Sequence, residues 1–358
     1  MKKIILTALI LFISFVAPAQ TQWTDAKQLT IGGHAPWVSR TPYERLPAAM
    51  KGTVRDQLWN LGCNSSGLYV RFRTDSPTIS AHWLLTGNNS MYHMTDAGIK
   101  GVDLYFLNGK KWQYVATGGA NGLNTSRRLI GDMKPEMREY MMYLPLYEGV
   151  SQVEIGIDSL YTIQAAGVDS PRRGSARPIV FYGTSIMQGA CASRPGMNGT
   201  SILARRLDRE AINLGFSGNA KLDYEMAHAM ASIPNPHSFV LDFAPNCTDK
   251  MIENNMEKFI TILREAHPSV PIVVVEQTYF PTMALSTVAH KEQVDKSAAM
   301  RVIFNRLVDA GDRKLHWVSG GELMGYDCEP YVDAVHSTDL GFMRYADTLY
   351  PLLRSLGK

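Results

Sequence analysis

The feature that most limits what this chain can fold into is a change of period about halfway along it. Up to about residue 163, apolar residues recur at every second position. "GLYVRFRT" sets Leu68, Val70 and Phe72 against Tyr69, Arg71 and Arg73, and "QVEIGID" puts Val153, Ile155 and Ile157 on one face. "VDLYFLNGKKWQYV" reads as two such runs joined by Asn108-Gly109, a strong hairpin signal. Helical periodicity is scarce here, and short strands divided by Asn, Gly and Asp turns predict a β-sandwich. The segment "GVDSPRRGSARP", 167–178, breaks the pattern with Gly, Ser, Pro and charge, as a linker does. Beyond it the short apolar runs "PIVFY", "AINLG", "SFVLDF", "PIVVVEQ" and "KLHWVS" alternate with helical stretches near 201–210, 222–233, 248–266, 291–310 and 339–356. That alternation predicts an α/β domain, a parallel sheet covered by helices on both faces.

A chain of 358 residues accommodates two domains, and 45% hydrophobic with 19% charged residues suffices to bury a large core. The formal charge is +3, two of those charges being Lys2 and Lys3. No basic stripe follows, so the sequence gives no reason to expect nucleic acid as a partner. "MKKIILTALILFISFVAPAQ" has a positive start, an apolar run over 4–16 and a small-x-small end at Ala17-Pro18-Ala19. This is the pattern of a secretory signal cleaved after Ala19. Its apolar run falls short of the roughly 20 residues that span a bilayer. The absence of a cysteine at the cleavage point argues against a lipid anchor. The expectation is a bacterial protein, periplasmic or extracellular, with no membrane association after cleavage. The expected divisions are a signal peptide (1–19), a β-sandwich (20–166), a linker (167–177) and an α/β domain (178–358). Cys63, Cys191, Cys247 and Cys328 allow three complete disulfide pairings in an oxidising compartment, or stand as free buried thiols. No cysteine–histidine spacing suggests zinc, and no cofactor is implied.

In an open α/β sheet, ligands bind beyond the carboxyl ends of the strands. The residues there are Gly183-Thr184-Ser185 after the first strand and "NLGFSGN", with Gly215 and Gly218, after the second. Asn246 of "FAPNC" follows the third, and Asp333 and His336 of "DAVHSTDLGF" stand ahead of the last helix. Each type meets a need of acyl transfer. A serine hydroxyl is a poor nucleophile until an imidazole takes its proton, and a carboxylate holds that imidazole in the right tautomer. The oxyanion that forms needs preorganised donors, which the Ser185 N–H, the Gly218 N–H and the Asn246 amide would supply. Each residue also has an ordinary alternative: Gly218 as a turn glycine, Asn246 as a helix cap, His336 on a solvated turn. The joint order at matching positions favours catalysis, with Ser185, Asp333 and His336 as catalytic residues and Ser185, Gly218 and Asn246 as the oxyanion hole.

That order resembles the SGNH hydrolases, also called GDSL esterases and lipases, over roughly residues 177–358. Gly183-Thr184-Ser185-Ile186 corresponds to the family's Gly-Asp-Ser-Leu/Ile block, and residues 213–218 match its Asn-x-Gly-x-Ser-Gly run. Ala244-Pro245-Asn246-Cys247 meets the Gly-x-Asn-Asp block loosely, and Asp333, His336 and Gly341 match the Asp-x-x-His block and the glycine after it. Thr184 stands where the family has aspartate, as does Cys247, and Ala244 stands where it has glycine; none of these is in the proposed catalytic set. The resemblance implies a three-layer α/β/α, flavodoxin-like domain. The β-rich first half is similar to the jelly-roll domain that precedes this hydrolase in some secreted bacterial carbohydrate esterases.

What the resemblance implies is a carboxylic ester hydrolase that removes acetyl groups from carbohydrates through an acyl-serine, its partner an acylated carbohydrate or other small ester. A lipase, lysophospholipase or thioesterase is the alternative within the family, with the apolar "YFPTMALSTVA", 279–289, lining an acyl-chain pocket or packing between the domains. A non-catalytic glycan-binding protein is the alternative outside it. Trp and Tyr of the sandwich strands are candidates for sugar stacking or, more ordinarily, core. Phosphate binding at Gly183 and Gly189 lacks the Gly-Lys-Ser/Thr ending and is set aside.

Overall fold

The computed structural model describes residues 20–166 and 177–356. The expected signal peptide and all of the expected linker except Arg177 lie outside the described residues.

The first half holds the strands β1 (Thr21–Asp25), β2 (Thr30–Gly32), β3 (Tyr69–Thr74), β4 (Ile79–Leu85), β5 (Val102–Asn108), β6 (Lys111–Gly118), β7 (Asn124–Ile130), β8 (Arg138–Tyr143), β9 (Val150–Asp158) and β10 (Ile163–Ala165). They form two antiparallel sheets, β1-β9-β4-β7 and β10-β3-β8-β5-β6, with β2 also paired to β3. The two-residue alternation sends Ile79, Ala81 and Trp83 from one sheet against Val70, Phe72, Leu104 and Met142 of the other, closing a common core with Val153, Ile155 and Ile157. In the β5–β6 hairpin Asn108 pairs with Lys111, so the turn is Gly109-Lys110, one residue later than Asn108-Gly109 suggests. The positive φ of 61° falls on Gly109, the first loop position, where a two-residue hairpin of the II′ type needs a glycine.

Two short helices interrupt this half, α1 (Asp56–Gly62) and α2 (Asp96–Lys100). They do not serve the sandwich core. Leu46, Met50, Leu58 and Trp59 pack into one core of the second half, and Met94 and Ile99 into the other. The buried Arg45 fixes this attachment by donating to the carbonyls of Leu61, Asn64, Asn213 and Gly215 at 2.6–3.1 Å.

The second half contains β11 (Ile179–Gly183), α3 (Ser185–Gln188), α4 (Gly199–Leu207), β12 (Ala211–Gly215), α5 (Tyr224–Ala231), β13 (Ser238–Asp242), α6 (Asp249–Ala266), β14 (Ile272–Val275), α7 (Thr287–Asp309), β15 (Leu315–Val318), α8 (Gly320–Met324) and α9 (Asp339–Ser355). All five strands run parallel in the order β12-β11-β13-β14-β15, the flavodoxin-like 2-1-3-4-5 arrangement. Because both faces are covered, consecutive strand residues face opposite cores. Val180 and Tyr182 of β11 pack with α5, α6 and α7, while Ile179 and Phe181 pack with α4 and α9. On α6 the buried Ile252, Met256, Phe259, Ile260 and Leu263 form one stripe, and Thr248 caps the helix by accepting the Met251 N–H. Among the described residues no helix is long and apolar enough to cross a membrane.

Most aromatic side chains of the sandwich strands are spoken for. Trp83, Phe72 and Tyr140 are core. Tyr69, Tyr105 and Tyr143 lie on the face turned to the second half, where Tyr69 donates to Glu210, and Arg194 donates to Tyr105 and to the buried Asp103.

Candidate active site

The carboxyl ends of β11, β12 and β13 converge on one cavity of about 420 Å³, lined among others by Ser185, Gly218, Asn246 and His336. A hollow of about 490 Å³ beside Arg264 and Asp312 lies at the opposite ends of the strands and holds no comparable set.

Ser185 is the first residue of α3, placed by the abrupt turn from β11. Its Oγ lies 2.8 Å from His336 Nε2, and His336 Nδ1 lies 2.8 Å from Asp333 Oδ2. An ionised carboxylate only accepts, so Nδ1 carries the ring proton and Nε2 is left to accept from the serine. The sharp turn that makes this contact uses a left-handed residue, Ala334, with φ of 67°. Burial pushes the Asp333 carboxyl up, but hydrogen bonds from the His336 and Val335 N–H groups and the His336 ring outweigh it, and its pKa lies below the ordinary value. The structure therefore brings the three sequence-predicted catalytic residues into one hydrogen-bonded line.

The three predicted donors line the same cavity. Among the described residues neither the Ser185 nor the Gly218 N–H has a protein acceptor. Gly218 has φ of 69°, a conformation that glycine adopts without strain. Asn246 Oδ1 accepts the Ala220 N–H at 3.2 Å, leaving its NH₂ for the cavity. Since Thr248 caps α6, Asn246 is not needed as its cap. The neighbouring Cys247 is buried and donates to Ala220 O at 3.4 Å, so the cysteine in the third block braces the Gly218 loop.

Residues outside the proposed catalytic set hold this frame. Gln188, fully buried, donates to Asn64 and to Leu146 O and accepts the Ser217 N–H at 3.0 Å, tying the serine's helix to the Gly218 loop. Asn213 Nδ2 donates to Met187 O at 2.9 Å while its Oδ1 accepts the Gly215 N–H at 2.8 Å. Gly215 lets α3 approach: a Cβ there would meet the Gln188 backbone nitrogen at 2.2 Å. His93, from the first half, stacks at a tilt on His336 with ring centroids 5.2 Å apart and sets its Nε2 3.9 Å from Asp333 Oδ2. No spacing in the sequence marks either Gln188 or His93.

His93, Cys191 and His336 place potential metal-binding atoms within 4.8 Å of one another. Both His336 nitrogens are already engaged, and burial with the nearby Asp333 charge pushes the Cys191 thiol up to about 12. This is a neutral thiol beside a committed imidazole rather than a prepared ligand set. All four cysteines are free.

The rest of the cavity lining is mixed. Ile186, Phe280, Met283 and Ala289 are apolar, and Gln277, Glu292 and Lys296 are polar. The apolar 279–289 segment thus lies against the cavity.

Comparison with known proteins agrees with this geometry. Residues 176–354 match the model of the GDSL-like lipase/acylhydrolase family, and residues 21–163 match one described as the N-terminus of SGNH-hydrolase-type esterases. A GDSL-like lipase from Bacteroides ovatus is 32% identical, with a TM-score of 0.89 over 94% of this chain and 98% of that one. A salicylyl-acyltransferase from a tetracycline biosynthetic pathway shares the fold at 18% identity, TM-score 0.74, over 94% of this chain and 98% of its own. A family two carbohydrate esterase from Clostridium thermocellum does so at 14% identity, TM-score 0.57, over 81% and 92%. No curated protein sequence matches the chain. A serine, histidine and aspartate gathered at the strand ends of a 2-1-3-4-5 sheet, in a chain matched by both family models, lead to one conclusion: the chain belongs to the GDSL-like lipase/acylhydrolase family.

Proposed function

We propose that this protein is an exported serine esterase that removes acyl groups, acetyl above all, from carbohydrate hydroxyls. The observation that carries the reading is the continuous line from Asp333 through His336 to Ser185, ending at a cavity that also holds three donors without protein acceptors among the described residues. In the proposed reaction His336 Nε2 takes the serine proton as Oγ attacks the ester carbonyl, and Asp333 stabilises the imidazolium. The Ser185 N–H, the Gly218 N–H and Asn246 Nδ2 receive the oxyanion. Collapse expels the alcohol, which takes the proton from His336 and leaves the acyl group on Oγ. Water then attacks the acyl-serine with His336 as base, releasing the acid and restoring the serine.

The polar lining residues Gln277, Glu292 and Lys296 suit a hydroxylated substrate better than a purely apolar one. Carbohydrate esterases built on this fold support the same choice. Export rests on the pattern of residues 1–19. The apolar patch of Ile186, Phe280, Met283 and Ala289 favours the second reading, a lipase, lysophospholipase or thioesterase. Purified protein assayed on p-nitrophenyl acetate, butyrate and octanoate, beside acetylated oligosaccharides, separates them. Acetate preference with sugar turnover supports the proposal. Octanoate preference supports the second reading, and no turnover of any ester leaves a glycan-binding protein.

A further inference from the structure

We infer that the first half of the chain builds the alcohol-side wall of this site, and that Tyr92 is its platform for a sugar ring of the departing alcohol. The inference rests on the carbohydrate-ester reading above and deepens it.

The chemistry fixes where the alcohol must lie. Its oxygen takes a proton from His336 Nε2 as it leaves, so it sits on the histidine side of Ser185 Oγ, away from the oxyanion donors. His93 covers His336 at 5.2 Å between ring centroids, and Tyr92 lies against His93 at 4.6 Å with the planes tilted by 37°. Both come from the sandwich half, at the tip of a turn closed by a β-bridge between Met91 and Met94.

The turn is anchored on both sides. Met94 is buried in the core shared with Ile99 and Cys191. Thr95 donates to Ser193 O at 2.8 Å, Asn89 donates to Tyr147 O at 3.0 Å, and Lys100 donates to Asn88 at 3.0 Å. Yet the residue it presents is a tyrosine 92% exposed. Packing does not explain this ring. By contrast, Tyr114, another exposed aromatic of the sandwich, is covered by Arg194 at 3.8 Å from its centroid. A tyrosine face is electron-rich and attracts the slightly positive C–H groups of a sugar ring, while its rigid side chain loses little entropy on contact. A carbohydrate bonded to the ester oxygen beside His336 would meet that face.

The test uses the whole protein with acetylated xylo- and gluco-oligosaccharides and, as a small-alcohol control, ethyl acetate. All form the same acetyl-serine, so an effect on the alcohol side appears in kcat/KM for the sugar ester and not for the control. Tyr92→Ala is expected to lower kcat/KM on the best sugar ester about three- to tenfold while ethyl acetate stays within about twofold. Tyr92→Phe, which keeps the ring, is expected to retain the parental value on both. An equal loss on both esters would mean that Tyr92 supports the turn, and no loss on either would mean that the ring is idle; each overturns the inference alone. A parent that cleaves ethyl acetate but no sugar ester overturns the carbohydrate reading and this inference together.

Discussion

Asp333 grips His336 at two points: its Oδ2 accepts from the ring Nδ1 at 2.8 Å, and its Oδ1 accepts the His336 backbone N–H, also at 2.8 Å. One carboxylate thus fixes both the tautomer of the imidazole and the turn that carries it. An asparagine offers one oxygen and one NH₂, so in either orientation one of these donors faces another donor. Asp333→Asn should lower kcat by at least about tenfold, with the 10⁴-fold loss seen for the same change in serine proteases as the upper reference. The Asp333 carboxyl is held below the ordinary carboxylate range, so it stays ionised where the enzyme works. Asp333 should therefore contribute no ionisation to the acid limb of kcat/KM in the parent. A variant that keeps the parental rate and pH profile would reduce the catalytic unit to Ser185 and His336.

Ser185→Ala removes the nucleophile but only one buried hydroxyl, whose partner His336 is partly exposed. Esterase activity should fall by several orders of magnitude, leaving the small residue that oxyanion donors and binding alone provide. The melting temperature should be nearly unchanged. Activity within about tenfold of the parent would point to another nucleophile. Cys191 is a poor substitute, its thiol held neutral by burial.

Asn246→Ala separates catalysis from stability. Removal of one oxyanion donor lowers kcat by about 10²–10³-fold, with KM much less affected. Thr248 keeps the cap of α6, so the roughly 1 kcal/mol penalty of a lost cap should be absent from the melting curve. A variant with full kcat and reduced stability would assign Asn246 to the support of Ala220 instead.

The second half of the chain was legible in the sequence because strands buried on both faces read as short apolar runs, and every expected helix is present with its ends displaced by at most a few residues. Ser185, Asp333, His336, Gly218 and Asn246 were legible for a related reason: strand ends in such a sheet all point to one rim. The first half was read less fully. β7, with most of its residues at least partly exposed, carries too little apolar alternation to announce itself. The stretch from Ala35 to Gly62 ends in a helix that serves the other domain's core, which only tertiary contacts decide. Arg45 with Gly215, Gln188 with Asn64 and His93 with His336 act across separations of 170, 124 and 243 residues, and nothing in their own neighbourhoods signals the partner.

Asp242, at the end of β13, gives the stability of this frame a pH dependence that can be read separately from catalysis. Burial pushes its carboxyl up to about 7, against the pull of the Tyr345 hydroxyl, which donates to its Oδ2 at 2.9 Å. In the unfolded chain an aspartate titrates near 4. Between about 4 and 7 the folded state therefore binds the extra proton, and this group's contribution to stability falls as pH rises through that window. Asp242→Asn keeps an oxygen for Tyr345 and never charges. The difference in unfolding free energy, variant minus parent, should be flat below about pH 4, rise through the window and level off above about pH 7. One pKa unit corresponds to about 1.4 kcal/mol, so the rise should be on the order of a few kcal/mol. Any penalty for burying the new NH₂ shifts the whole curve without changing its slope. Urea unfolding at pH 4, 5.5, 7 and 8.5 on both proteins measures it, and a difference independent of pH would mean that Asp242 ionises in the folded protein as it does in the unfolded chain.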